Sequence, residues 1–194
     1  NVVVTPHLGA ATTEAQENVA IQVAEQMANY LLTGAVENAL NMPSMTAEEA
    51  KVMGPWIKLA GYLGSFTGQM TDEPIKAINI LYDGTVAKMN LDALNCAVIA
   101  GIMKRANPDV NMVSAPVVAK ERGIQISTTN QDKSGIFDGY IKITVVTSKH
   151  ERSVAGTVFS DGKPRFIQIK GINIDAEIGS NMLYTTNVDV PGII

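Results

Sequence analysis

Cysteine is nearly absent from this chain: Cys96 is the single one in 194 residues. One thiol excludes an intrachain disulfide and favours a reducing compartment. Its neighbours Ala97, Val98 and Ile99 mark it as a small buried residue. Histidine is scarce as well. His7 and His150 lie far apart, so no group of His, Cys and carboxylates has metal-ligand spacing and no metal site is expected. No apolar run approaches the ~20 residues that cross a bilayer, and no basic segment leads into an apolar one as in a secretory signal. A soluble, cytoplasmic protein with no membrane partner is expected. A glycine-rich dinucleotide turn (G-x-G-x-x-G after a strand) is missing, and no Gly-x-Ser-x-Gly or Ser-x-x-Lys nucleophile motif stands out. Gly61, Gly64 and Gly68 lie in an apolar, helix-like stretch and are better explained by packing.

Positive charge is missing from one end. Residues 1–50 hold no Lys or Arg and six acids, whereas residues 142–170 hold six bases against Glu151 and Asp161. Aromatics are 5% of the chain, and the net charge is −4. Low pI and bases without interleaved aromatics exclude nucleic acid as a partner. What is present is ordinary for a globular protein, 46% hydrophobic and 18% charged, enough for one sizeable domain or two small ones.

Periodicity separates the chain into parts. Thr13-Glu14-Ala15-Gln16 has the form of a capping box and opens a helix with Val19, Val23, Met27 and Leu31 in a stripe, closed by Gly34. Ala15, Ala20, Ala24 and Ala28 beside that stripe predict close packing on a neighbour, so the exposed face predicts self-association or disorder. Residues 35–47 read as a linker broken by Asn41 and Pro43. Thr46-Ala47-Glu48-Glu49 is a second capping box, and Pro55 suits the first turn of a following helix that carries Trp56, Leu59, Leu63 and Phe66 on one face. A strand over 75–82, a helix over 91–105 with Leu94, Val98 and Ile102 inward, and a short helix from Ser114 to Gly123 follow. From Ile124 the pattern turns to strands: 125–127, 140–146, and a hairpin of 152–159 with 165–172 around Asp161-Gly162. Helices followed by mostly antiparallel strands over 48–180 predict an α+β domain, with helices packed on the sheet. Asn181 to Val188 alternates as a further strand.

The first sixteen residues carry the sharpest chemical signal. A β-branched run, Val2 to Thr5, stops at Pro6, which cannot continue a ladder, and His7 and Gly9 lie on the exit loop. A histidine there stands where ligands collect in open α/β sheets. Pro6-His-Leu-Gly-Ala-Ala-Thr-Thr-Glu-Ala-Gln16 resembles the last catalytic segment of the D-2-hydroxyacid dehydrogenases, and within them the long-form phosphoglycerate dehydrogenases. Three further pieces resemble the intervening, or allosteric substrate-binding, domain of that family: Asp109 to Ile124, Arg152 to Thr157, and Gly162 to Ile172. Asp189-Val-Pro-Gly192 after a strand resembles the opening of a regulatory ACT domain.

The resemblance implies a division of the chain into 1–34, the last strand–loop–helix of a Rossmann-type catalytic region; 35–47, a linker; 48–180, the intervening domain; and 181–194, the first strand and loop of a truncated ACT domain. It implies His7 as the catalytic proton donor and acceptor, with His7, Leu8, Gly9 and Ala10 against the nicotinamide of NAD. Imidazole suits that role because it titrates near neutrality. It further implies oxidation of 3-phosphoglycerate to 3-phosphohydroxypyruvate in L-serine biosynthesis by a longer, homo-oligomeric enzyme. This chain would then be a regulatory and assembly piece, inactive alone and with no NAD bound to it. A phosphorylated hydroxy acid is the expected substrate, with phosphate or serine as effector. The competing reading is a non-catalytic anion-binding and oligomerisation module. The basic strands supply its candidate anion site, Arg152, Lys163 and Arg165, which hairpin pairing can bring together. Family members that carry a further base after this hairpin differ from this chain, which has Glu177 there. His150, beside Lys149 and Glu151, reads as a solvated loop residue.

Overall fold

The computed structural model describes residues 2–7, 9–133, 135–179 and 181–186. Four α-helices appear in order, α1 (Thr13–Thr33), α2 (Ala47–Gln69), α3 (Leu91–Met103) and α4 (Ala115–Glu121). Six strands are β1 (Ala77–Gly84), β2 (Gln125–Gln131), β3 (Gly139–Val146), β4 (Glu151–Val158), β5 (Pro164–Ile169) and β6 (Ile172–Glu177). They form one sheet in the order β2-β1-β3-β4-β5-β6. Only β1 and β2 run parallel, joined by the crossover through α3 and α4; every other pair is antiparallel. The architecture is the α+β arrangement expected.

Strand alternation places the core on one side of the sheet. In β3, Ile141, Ile143 and Val145 are buried, and in β1 Ile78, Ile80 and Tyr82. They meet Trp56, Leu59 and Leu63 of α2, Leu94 and Val98 of α3, and Val154 and Phe166 of the neighbouring strands. Burying each such side chain contributes about 1.5–3 kcal/mol. Helix α3 is apolar nearly all round, and it accordingly buries two sides. Leu94, Val98 and Ile102 join the main core; Ile99 and Met103 join a second cluster with Val110, Ala115 and Ala119 beneath α4. The Tyr82 hydroxyl donates to Asn95 Oδ1 (2.9 Å), tying β1 to α3.

Helices α2 and α3 touch backbone to backbone. A Cβ built on Gly101 would lie 2.5 Å from the Gly61 carbonyl oxygen and 2.8 Å from the Ser65 nitrogen. One on Gly68 would lie 2.5 Å from the Ile102 carbonyl oxygen, and one on Gly64 would collide with that of Val98. Arg105 fastens the same pair beyond the contact, donating to the carbonyls of Gln69 (2.8 Å) and Thr71 (3.2 Å) and pairing with Asp72 (2.9 Å).

Several local expectations change. Residues 2–7 form no strand, and Val2, Val3 and Val4 are almost fully exposed: β-branched residues need a neighbouring strand, and the six strands here pair with one another. The cap of α1 is Thr12, whose side chain accepts from the Ala15 N–H (3.1 Å), one residue before the expected capping box. Gly34 does close α1 in the left-handed conformation (φ 78°). Helix α1 buries no side chain among the described residues, so the close packing expected along its alanine edge does not bury it.

The second capping box forms as expected, with Thr46 and Glu49 exchanging hydrogen bonds. Pro55 lies inside α2 rather than opening a new helix. The helix runs through it because Ala50 and Met53 before it and Trp56 and Leu59 after it are buried along one face. The segment 35–47 is partly packed: Ala35 and Val36 are buried, and Val36 and Met45 exchange backbone hydrogen bonds of 2.7 and 2.9 Å. The strand expected over 165–172 is two strands, because Lys170 (φ 50°) and Gly171 (φ 82°) are both left-handed and reverse the chain between Ile169 and Ile172. Residues 181–186 form no strand. They cross α2 instead, with the Tyr184 ring 5.6 Å from Phe66. The Asp189 to Gly192 loop lies outside the described residues, as does Leu8. No helix among the described residues is long and apolar enough to cross a membrane.

The glycine contact predicts opposite signs at two positions of one helix. Gly64→Ala should destabilise the protein by about 1–3 kcal/mol because the colliding atom is backbone. Gly54→Ala, where nothing lies within 4 Å of the new Cβ, should stabilise by up to about 1 kcal/mol through helix propensity. Urea unfolding of the two variants reads both.

Candidate functional site

Chemistry-bearing side chains gather in three places. The first is the loop before α1. His7 is exposed, and its ring folds back over Gly9, where an added Cβ would lie 2.8 Å from the imidazole Nε2. Ala10 follows with φ 53°, turning the chain towards the Thr12 cap. Among the described residues His7 makes no hydrogen bond or ion pair. A dinucleotide cradle is also missing: the turn after β1, at the parallel crossover, is Asp83-Gly84-Thr85 and leads into a 3-10 turn rather than a long helix. The described residues do not by themselves fit NAD.

The second place is the far end of the β4–β5–β6 hairpins. Arg165 stands opposite Glu177 on β6 and Thr157 on β4. Its guanidinium lies 5.0 Å from the Phe159 ring centroid and 3.4 Å from Asp175 Oδ1, while its buried Nε has no hydrogen-bond partner. Lys163 Nζ lies 3.7 Å from Glu177 Oε1. Two of the three bases expected to hold an anion are therefore faced by acids of β6.

Register separates Arg152 from them. Arg152 pairs with Val145 on β3, five residues along β4 from Thr157, roughly 17 Å at strand rise. The structure brings Lys163 and Arg165 to one end of the hairpin and places Arg152 at the other. There it lines a cleft of about 500 Å³ with His150, Glu151, Ser153, Lys170 and Gly171.

Beside that cleft is the third place, which the sequence did not expose. Thr147 Oγ1 donates to Glu73 Oε2 (2.6 Å) and accepts from the His150 N–H (3.0 Å). Lys149 Nζ and His150 Nε2 lie 3.7 and 3.8 Å from Glu73 Oε1. His150 is the exposed loop residue that the sequence reading expected, and its ring also lies near a carboxylate 77 positions earlier, a proximity that no local pattern signals. The Thr147 hydrogen bond holds the Glu73 carboxyl below the ordinary glutamate range despite partial burial, helped by Lys149, His150 and Arg152.

Other ionisable groups are structural. Burial would raise the Asp83 carboxyl, but hydrogen bonds from the Lys133 N–H, Gln131, Tyr140 and the Gly84 N–H outweigh it and the group sits low. Burial pushes the Cys96 thiol up, with Asp92 adding to it, which leaves a poor nucleophile. No group of three or more potential metal ligands occurs among the described residues.

Comparison with known proteins places this geometry. Residues 52–170 match the family described as D-3-phosphoglycerate dehydrogenase intervening domain. The whole chain is 36% identical to D-3-phosphoglycerate dehydrogenase of Bacillus subtilis (strain 168), of which it spans 37%, and 35% identical to that of Synechocystis, of which it spans 35%. Over 136 residues, 67% of the chain, it is 36% identical to the Pongo abelii protein of the same name, covering 25% of it. The chain thus spans little more than a third of the first two relatives and less of the third.

The depressed Glu73 carboxyl contributes stability above its unfolded value, and that contribution is lost as pH falls through its folded value. Glu73→Gln should therefore be less stable than the parent near neutral pH, with the difference shrinking below the ordinary glutamate range. Thermal unfolding over a pH series measures it; a difference that grows in acid would contradict the assignment.

Proposed function

Because the chain belongs to the D-3-phosphoglycerate dehydrogenase intervening-domain family, we propose that it is the regulatory and assembly part of an NAD-dependent dehydrogenase that oxidises 3-phosphoglycerate to 3-phosphohydroxypyruvate in L-serine biosynthesis. The observation that carries the reading is the match of both parts together. The intervening-domain family covers 52–170, and the 36% identical match to the Bacillus subtilis enzyme spans all 194 residues and so takes in the segment that contains His7.

In the complete enzyme His7 gives and takes the hydroxyl proton of the phosphorylated hydroxy acid. Imidazole is suited to this because it exchanges protons near neutral pH, and the His7 ring is exposed on a turn with no competing partner among the described residues. Leu8, Gly9 and Ala10 complete the surface offered to the cofactor. The phosphate-binding turn and the groups that orient the substrate carboxylate are supplied from elsewhere in the longer protein. Residues 1–34 act as the end of the catalytic region, 35–47 as the linker, 48–180 as the intervening domain and 181–194 as the start of an ACT domain. Phosphate or serine is the effector, and assembly is between copies of the chain in a reducing, cytoplasmic setting.

Two measurements test this. The isolated chain should show no dehydrogenase activity and no saturable NAD binding by calorimetry; micromolar binding would sink the assignment of the cofactor site to other residues. In the complete enzyme, His7→Ala should lower turnover by roughly 10²–10⁴-fold, the usual worth of a positioned general acid–base. Turnover preserved within a few-fold would make His7 structural.

A further inference from the structure

The sheet ends on two unlike edges. Strand β6 carries Asp175 and Glu177, and charge of that kind keeps an edge from pairing with another chain. Strand β2, at the other end, reads Gln125-Ile-Ser-Thr-Thr-Asn-Gln131, seven residues without charge, proline or glycine. Its register with β1 runs unbroken from Gln125 to Gln131, with no bulge to twist the edge away. Residues 125–130 are all exposed, so no helix or loop among the described residues covers this edge.

Backbone alternation shows which groups are left over. The Gln125 N–H donates to the Lys76 carbonyl (2.9 Å), so Gln125 directs its polar backbone at β1. In a parallel ladder every second residue does the same, which assigns Ser127, Thr129 and Gln131 to β1 as well. Ile126, Thr128 and Asn130 then point their N–H and C=O groups away from the sheet, where none has a partner among the described residues. Such a row is a template for a further strand.

From this edge we infer that β2 pairs with β2 of a second copy of the chain, antiparallel about a two-fold axis at Thr128, joining two six-stranded sheets into one. This register sets Thr128 opposite its own mate, Ile126 opposite Asn130 and Ser127 opposite Thr129. All three outward residues then fall in hydrogen-bonded pairs, which use their N–H and C=O groups in full. The side chains fit a self-pairing too. In a two-fold contact a charged side chain near the axis faces its own image, and β2 carries none. Thr128 against Thr128 and Ser127 against Thr129 are hydroxyl pairs of the kind that stabilise cross-strand neighbours, and Gln125 meets Gln131, amide against amide. The inference rests on the reading that the chain assembles with copies of itself, and it assigns that assembly a surface. A strand edge is a small contact, below the ~1,200–2,000 Å² of a stable complex, so a weak dimer is expected of the chain alone.

The test is sedimentation of the 194-residue chain over a concentration series reaching about 1 mM, with amide exchange followed by NMR on the same samples. The weight-average mass should rise towards that of a dimer. Exchange at Ile126, Thr128 and Asn130 should slow as concentration rises, while Ser127 and Thr129 stay equally protected throughout. Thr128→Pro removes an outward donor without breaking a bond to β1, and Thr128→Lys sets two ammonium groups face to face. Each should weaken dimerisation about tenfold or more, and high salt should restore it in the lysine variant alone. Leu31→Lys, on the exposed side of α1, should leave it within about twofold. A chain that stays monomeric, a dimer that survives both Thr128 variants, or one lost only in Leu31→Lys overturns the pairing. The last two results leave assembly standing and move it to another surface. The exchange pattern of the parent chain carries the test if either Thr128 variant fails to fold. The dehydrogenase reading is judged separately, by NAD binding and His7.

Discussion

The structure depends on how closely α2 approaches α3. Gly64, Gly68 and Gly101 remove the side chains that would hold the two axes apart, so carbonyl oxygens of one helix sit against the backbone of the other. That approach lets two helices form one thin layer over a single face of the sheet, with Leu59 and Leu63 from one and Leu94 and Val98 from the other reaching the same strands. It also brings the end of α2 within reach of Arg105, whose guanidinium satisfies carbonyls that the helix end would otherwise leave without partners. A methyl group at the contact changes the distance that all of these depend on.

Charge is arranged around that core by strand register. The acids of β6 fall opposite the bases near the Asp161-Gly162 turn, because Ile169 and Ile172 pair across a two-residue turn and an irregularity between Phe166 and Gln168 then shifts the register by one, setting Glu177 against Arg165. Pairing of Val154 with Ile169 and of Thr157 with Arg165 separately leaves Arg152 near Lys170 and away from Arg165. A one-residue change in the Lys170-Gly171 reversal would move every side chain of β6 to the other face. It would uncouple Arg165 from Asp175 and Lys163 from Glu177 together.

The N-terminal part obeys different physics. Helix α1 has an apolar stripe, a cap at each end and no buried side chain. His7, in the loop before it, likewise has no hydrogen-bond or ion-pair partner among the described residues. Local rules thus shape this segment. The family match covers residues 52–170 and so lies within the well-packed α+β domain.

Local patterns in the sequence determined much of this protein. The 3.6-residue stripes of α2 and α3, the alternation of β3, the Thr46–Glu49 capping box and the Gly34 stop were legible because each is set by neighbours within a few residues. The Pro-His-Leu-Gly run could be recognised for the same reason. Tertiary structure decided what depends on pairs distant in sequence. It made β1 and β2 parallel, carried α2 through Pro55 by burying a face on both sides, and denied a strand to Val2–Val4. It also set Arg152 apart from Arg165 and drew His150 to Glu73. A strand's register, a carboxylate's partner and a glycine's close contact are each fixed by the atoms that arrive from elsewhere in the chain, and a linear pattern carries no record of that arrival.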